Sequence, residues 1–326
     1  MSEMNQPAPA GKYLIDSYED WAKAEGVPIH TGTAVDMLTA EVKPWTRYGL
    51  NGAFVHLNGR DDFLTVFINE LPANSGSAPH QHLYEEVCYG LAGTGSTEFE
   101  APDGHTQVIE WGPKSLFALP MNARYRHRNT SAAPARFAAV SDLRYLFNLY
   151  RSEGFVFGMP TRFSERYGAA EAVADLTKQA PGPLALAKGT LSSDLNELAA
   201  GTYCEAKRQM FGAHLLGVDG EGHMLIFEEG AQDHIRVEWR HGIATAAPGM
   251  RFSQQFNAGA GAARFLDVQM GSQQYPNFRY RRAAYGDTSV YAAGNATIPF
   301  AQQDPRIHKQ WLETIGGKGV TPKMPV

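Results

Sequence analysis

With 326 residues the chain exceeds the usual size of one domain, so two domains, each able to bury its own core, are the expectation. A formal net charge of -5 excludes the electrostatic footprint of a nucleic-acid binder or of a protein drawn to an anionic membrane, which leaves a small molecule as the expected ligand. No apolar run approaches membrane-spanning length, the first residues lack the basic start and apolar core of a signal peptide, and Cys88 and Cys204 are too few for a disulfide scaffold; the chain reads as soluble and cytoplasmic.

The first element is a helix, with Asp16 as its cap, SYEDWAKAE as its body and Gly26 as its stop. From there short apolar runs punctuated by Gly and Pro dominate. FLTVFINEL, EEVCYGL, SLFALP and RFAAV come first, HLLGV and RFLDV later, and together they have the texture of a sandwich or barrel. Residues 160–190, rich in Ala, Pro and Gly, read as a short helix followed by a linker. Ser193 ahead of DLNELAA and Gly201 predicts another helix, and Asp304-Pro305 opens a last one through RIHKQWLETI to Gly316.

An internal repeat organises these runs. Ile109 to Phe137 aligns without gaps onto Val237 to Phe265, matching Trp111 with Trp239, Pro120 with Pro248, Asn129 with Asn257, and Ala-Arg-Phe at 135–137 with 263–265. Upstream, Gly93-Thr-Gly95 corresponds to Gly220-Glu-Gly222 after a shift of one residue, which places an insertion or deletion in a turn. The fold is therefore expected to be a duplicated unit.

The chemistry concentrates in GSAPHQHLYEEVCYGLAG. His80 and His82 are two apart on a predicted strand and so leave the same face; Glu86 shares that face if the strand runs through. Two imidazoles and a carboxylate are the donor set that grips one metal ion while leaving positions open for oxygen or substrate. His-x-His, three residues, Glu, six residues and Gly93 is the first motif of the cupin superfamily, and the chain is identified on it as resembling that superfamily. The second cupin motif is matched by Pro120 to Asn129, with two departures: Asn122 replaces the usual Gly, and Tyr125 stands where the family's histidine falls, with His127 two residues on and on the same face. His127 is the expected fourth ligand. The alternative is that Tyr125 coordinates, or holds a metal-bound oxygen by a hydrogen bond, with His127 behind it.

The resemblance implies an all-β protein of two cupin barrels, double-stranded β-helix jelly rolls in tandem with a few peripheral helices. The expected division is a helix and arm over 1–50, a metal-bearing barrel over 51–160, a helix and linker over 161–190, a degenerate metal-free barrel over 191–275, and an extension with a helix over 276–326. Two cupins with ligands kept only in the first resemble the gentisate dioxygenase-like group over roughly residues 50 to 270. This implies Fe(II), with O2 and a small aromatic or enolic substrate as partners, cleavage of a carbon-carbon bond, and a homodimer. Tyr125 and His127 would stabilise charge on the reacting oxygen. The alternatives are a non-oxidative cupin metalloenzyme using Mn, Ni or Zn (a decarboxylase, isomerase or lyase) and a small-molecule-binding cupin without turnover.

In the second copy His80, His82 and Glu86 fall on Lys207, Gln209 and Ala213, or one residue later on Arg208, Met210 and His214; Tyr125 and His127 fall on Ser253 and Gln255. None of these sets is a metal site, and Phe211, Met250 and Phe252 suggest a filled interior with no ligand. Tyr84, Cys88 and Phe117 are candidates to line the first barrel's pocket, Cys88 reading more simply as small apolar packing. His56, His105, His223, His234, His241 and His308 read as scattered through loops and exposed faces, and Arg124, Arg126 and Arg128 as pointing away from His127.

Overall fold

Each copy of the repeat builds one barrel of two facing sheets. In the computed structural model, which describes residues 16–60, 63–167, 173–209, 213–271 and 296–324, an eight-stranded sheet faces a four-stranded one in the first barrel, and a six-stranded sheet a five-stranded one in the second. The first barrel's large sheet runs Ile29–Gly32, Leu50–Leu57, Thr65–Leu71, Ala135–Ser141, Glu86–Ala92, Ser115–Ala118 and Val173–Asp175, with Lys43–Trp45 beside Leu50–Leu57. Its small sheet is Ser75–Gly76, Tyr125–Asn129, Gly95–Glu100 and Thr106–Trp111. In the second barrel the large sheet runs Gly182–Leu184, Leu191–Leu198, Ala263–Met270, Ala213–Asp219, Ile243–Ala247 and Ala34–Asp36; the small one is Ile235–Arg240, Glu221–Phe227, Phe252–Asn257, Ala206–Arg208 and Ala296–Ile298.

Thr65–Leu71 shows why its sequence lacks a clean polar-apolar alternation. Phe67 and Leu71 join the aromatic interior of the first barrel, while Val66 and Ile68 face a second apolar layer that holds Leu216, Leu266 and Val268 of the other barrel. A strand buried on both faces reads as a nearly continuous apolar run. Tyr125–Asn129 has one face inward and therefore alternates: Tyr125, His127 and Asn129 are buried, and Arg126 and Arg128 pair with Glu98 outside at 3.3 and 2.5 Å.

The repeated residues have repeated structural roles. Gly95 and Gly222 sit so close to Trp111 and Trp239 that an added Cβ would lie 2.4 and 2.2 Å from the rings. Asn129 Nδ2 donates to Leu71 O and Ala133 O, and Asn257 Nδ2 to Leu198 O and Gly261 O. Gly93 and Gly220 both turn at φ 68° directly after the strands Glu86–Ala92 and Ala213–Asp219. This settles the register of the duplication: Glu86 corresponds to Ala213, and counting back, His82 to Gln209 and His80 to Lys207.

Each copy also lends a leading strand to the other. Ala34–Asp36 pairs with Ile243–Ala247 of the second barrel, and Val173–Asp175 with Ser115–Ala118 of the first. The turns after these strands are held by the arginines of the repeated Ala-Arg-Phe. Arg136 Nη1 donates to the carbonyls of Met37, Leu38 and Ala40 at 2.9–3.1 Å, and Arg264 Nη1 to those of Leu176, Thr177 and Gln179 at 2.8–3.3 Å.

Helices Ser17–Ala24, capped by Asp16, and Pro305–Ile315, capped by Asp304, form where expected. The helix expected after Ser193 does not: Leu191–Leu198 is a strand paired along its whole length with Ala263–Met270. The cross-strand partner outweighs the modest helix propensity of DLNELAA. In the segment expected to be a helix and linker, the described residues form a 3-10 turn at Ser164–Arg166 and the strands Val173–Asp175 and Gly182–Leu184. Leu143–Tyr150 and Glu153–Gly158 are short helices that follow the strand Ala135–Ser141.

Candidate metal centre

His80 and His82 do not lie on a continuous strand. His80 forms an isolated bridge with Tyr125, residues 81–85 are irregular, and the strand begins at Glu86. Fixed contacts hold this loop: Leu83 N donates to Val156 O at 2.7 Å and Glu85 N to Asp142 Oδ1 at 2.8 Å. The Glu85 carboxylate is in turn paired with Arg166 at 3.1 Å. Glu86 is thus placed by its neighbour as much as by its strand.

All five predicted site residues converge in the first barrel and all are buried: His80, His82, Glu86, Tyr125 and His127. His82 Nδ1 lies 2.8 Å from Tyr84 O, which can only accept, so the imidazole carries its proton on Nδ1 and presents the Nε2 lone pair inward. The ring stacks on Tyr84 at 3.5 Å and 4°. His80 is hydrogen-bonded to the Tyr48 backbone, and its Nε2 is buried without a partner. Burial and the neighbouring His127 and His82 hold His80 neutral, its pKa down to about 3.

The Tyr125 hydroxyl occupies the space between the donors. It is 2.7 Å from His82 Nε2 and 3.2 Å from Glu86 Oε1, which are themselves 3.8 Å apart. Among the described residues no three of His, Cys, Asp and Glu stand as a ready-made metal-holding group; in this cluster the Tyr125 phenol lies between His82 and Glu86. Burial and the Glu86 carboxylate push the Tyr125 phenol well above its usual value, so it keeps its proton. His127 is anchored through its Nδ1, 2.7 Å from Thr97 Oγ1, which also accepts from Trp111 Nε1 at 3.1 Å, and it lines the same small cavity as His80, Glu86 and Tyr125. The donor set nonetheless fits a divalent ion. One imidazole nitrogen is orphaned, a second is in the ligating tautomer, and a carboxylate is beside them.

A cavity of about 10 Å³ adjoins these groups, lined by Trp45, Tyr48, His80, Tyr84, Glu86 and Tyr125 among others; it has room for an ion or a single water. Cys88 and Phe117 are fully buried in the aromatic core and do not line it. Tyr48 is the functional residue that the motifs do not reveal. It comes from the turn between the strands Lys43–Trp45 and Leu50–Leu57, packs at 4.9 Å on His80 and hydrogen-bonds the Tyr84 hydroxyl at 2.8 Å. Two histidines read as exposed are buried: His56, whose Nε2 is 2.9 Å from the Tyr18 hydroxyl, and His223, stacked on Phe256 at 4.7 Å.

The second barrel is not filled. It holds a partly open cavity of about 540 Å³. Met250 is 54 % exposed, Phe252 packs into a different cluster with Tyr203 and Trp311, and Phe211 lies outside the described residues. The interior opens because Phe67 of the first barrel corresponds to Asp194, and Glu86 to Ala213.

No family model matches the chain, and no curated protein matches it. Solved structures do. The formate complex of the Lactobacillus farciminis oxalate decarboxylase is 13% identical over 78% of this chain and 94% of that one, with a TM-score of 0.52. A point mutant of the Bacillus subtilis oxalate decarboxylase is 12% identical over 81% and 88%, TM-score 0.51. The fold is that of a bicupin. A further Bacillus subtilis oxalate decarboxylase, described for its Mn(II) centres, is 13% identical over 81% and 88%, TM-score 0.50. At such identities the likeness is one of fold, and the site in this chain rests on its own residues. No helix among the described residues is long and apolar enough to cross a membrane.

Proposed function

We propose that this bicupin is a divalent-metal enzyme that breaks a carbon-carbon bond of a small carboxylic acid without net oxidation, with His80, His82 and Glu86 as ligands and Tyr125 as proton donor. The carrying observation is the pairing of an orphaned His80 Nε2 with a His82 held in the ligating tautomer beside Glu86. The oxalate decarboxylases that share the fold support a non-oxidative reaction over the gentisate-type dioxygenase.

A metal bound here would act as a Lewis acid on the substrate carboxylate; Mn(II) is the first choice, Fe(II), Ni and Zn the others. The protein's own contribution is explicit. Tyr84 O fixes the His82 tautomer, and the Tyr48 and Tyr84 hydroxyls close the cavity wall. Tyr125 holds a proton at Oη, beside Glu86, for the carbon that loses carbon dioxide. His127, anchored through Nδ1 by Thr97 and lining the same cavity, is the candidate for a fourth ligand.

The cavity's size favours a second reading, a sealed metal site without turnover. One experiment separates them: metal content of the wild type and of His82→Ala, with carbon dioxide release and oxygen uptake measured on small di- and hydroxycarboxylic acids. The proposal expects a single ion per chain, lost in the variant, and carbon dioxide without oxygen consumption. Metal without turnover selects the sealed site, oxygen uptake with Fe(II) the dioxygenase, and a wild type that takes up no metal sinks all three.

A further inference from the structure

The outer face of the second barrel's small sheet is covered, and beneath the cover lies a pocket. Gln254 follows the strand alternation of Phe252–Asn257, so its side chain leaves the face opposite Gln255, away from the barrel interior. In the repeat it corresponds to Arg126, which stands outside the first barrel and pairs with Glu98. Here the same face is packed over: Phe252 and Phe256 join Ile307 and Trp311 of the helix Pro305–Ile315, and Gln254 is 0% exposed. Between this face, the loop after Phe227 and the start of that helix is a partly open pocket of about 240 Å³.

The pocket wall contains a buried acceptor with nothing to accept from. Gln254 Nε2 donates to Cys204 O at 2.8 Å and to Gln303 Oε1 at 3.0 Å. Cys204 O can only accept, so the orientation of the amide is fixed and both of its N–H groups are used. Oε1 is the atom left over, buried and without a hydrogen-bond partner. A buried carbonyl in that state is costly until a donor reaches it. The rest of the wall says what kind of molecule can bring the donor. Phe227, Ile298 and Ile307 are apolar, and His234 packs on Phe227 at 5.0 Å and 64°, its pKa lowered by burial. Asp304 is already bound by Arg306, through Nε at 3.0 Å and the backbone N at 2.9 Å, so it offers a cation no unshared partner. Among the described residues no Lys or Arg lines the pocket to hold an anion.

We propose that this pocket binds a small uncharged aromatic heterocycle, its ring N–H donated to Gln254 Oε1 and its faces set against Phe227, Ile298 and Ile307. Such a molecule meets both demands of the wall: it gives the orphaned carbonyl a donor, and its flat apolar body needs no opposite charge. The volume suits one ring or two fused rings, and with no basic side chain on the wall a free base fits where a phosphorylated one does not. The site uses no residue of the first barrel, and its failure would leave the metal reading standing, as the converse would leave this one.

The test is a ligand-observed NMR titration of the full chain at neutral pH with indole, benzimidazole and uracil. Each is run beside an analogue that keeps the rings and lacks the N–H: benzofuran, 1-methylbenzimidazole and 1,3-dimethyluracil. At least one parent is expected to bind, with its analogue about tenfold weaker or more. Gln254→Met, which removes the acceptor and keeps the length of the side chain, should weaken the parent to a similar degree. Ala231→Phe, placed in the half-buried loop after Phe227, fills the pocket from its rim without touching the sheet and should abolish binding; it decides the matter where Gln254→Met lowers the melting temperature. Binding by uracil alone narrows the ligand to a single ring, and binding by indole or benzimidazole alone to a fused pair. Equal binding of parents and analogues, binding unchanged in Ala231→Phe or in a Gln254→Met that melts like the wild type, or a panel of which no parent binds overturns the proposal.

Discussion

Tyr125 is the residue on which the two halves of the site's chemistry meet. Its hydroxyl touches both His82 and Glu86, so removing it changes the proton supply without removing any of the three proposed ligands. Tyr125→Phe is expected to lower turnover roughly 100-fold while the metal content stays at the wild-type value. A parallel loss of metal would make Tyr125 a ligand instead, the alternative already visible in the motif. The His80, His82 and Glu86 spacing was legible because a short segment carries all three groups, even though the segment is a pinned loop rather than a strand. Tyr48 was not legible, since its approach to His80 depends on where a distant turn packs. The second barrel's cavity was hidden for the same reason: Asp194 reads as a helix position until its partner Asp267 is known.

At the scale of elements, the repeated Ala-Arg-Phe was readable as a pattern but not as a clamp. Arg136 is bidentate to Glu70 Oε2 at 3.0 and 2.5 Å and also reaches three carbonyls of the turn after Ala34–Asp36, so one side chain ties the exchanged strand to the first barrel. Its side chain is 12% exposed, and removing it strands Glu70 and three carbonyls together. Arg136→Ala is expected to cost about 3 kcal/mol, read in urea as a lower midpoint with an unchanged slope, and Arg264→Ala to cost a similar amount. A loss below about 1 kcal/mol in both would show that strand pairing alone fixes the exchange. The failed helix at Ser193 teaches the same lesson. Leu191, Leu195 and the polar residues between them suit a strand once Ala263–Met270 is alongside, but the partner lies far along the chain.

The whole molecule is held by the layer between the large sheets, and that layer contains a titratable group. His214 is paired across the ladder with Ala246 and Val268, both members of the apolar layer, so it faces the other barrel at the position that Val87 fills in the first copy. Burial, reinforced by the Arg60 charge, lowers its pKa from 6.5 to about 4. Because the folded value is depressed, the unfolded chain takes up the proton first. The stability is therefore intact above pH 6.5 and is lost as the pH falls from 6.5 towards 4. Between pH 7 and pH 5 the group accounts for about 2 kcal/mol of that loss. His214→Val, which copies the first repeat, is expected to lose correspondingly less stability over this range in parallel urea titrations. His223, lowered to about 3 by its own burial, remains in both proteins, so the difference isolates the contact between the barrels. An identical acid sensitivity in the variant would place the labile charge elsewhere, and the barrel contact would then be indifferent to pH.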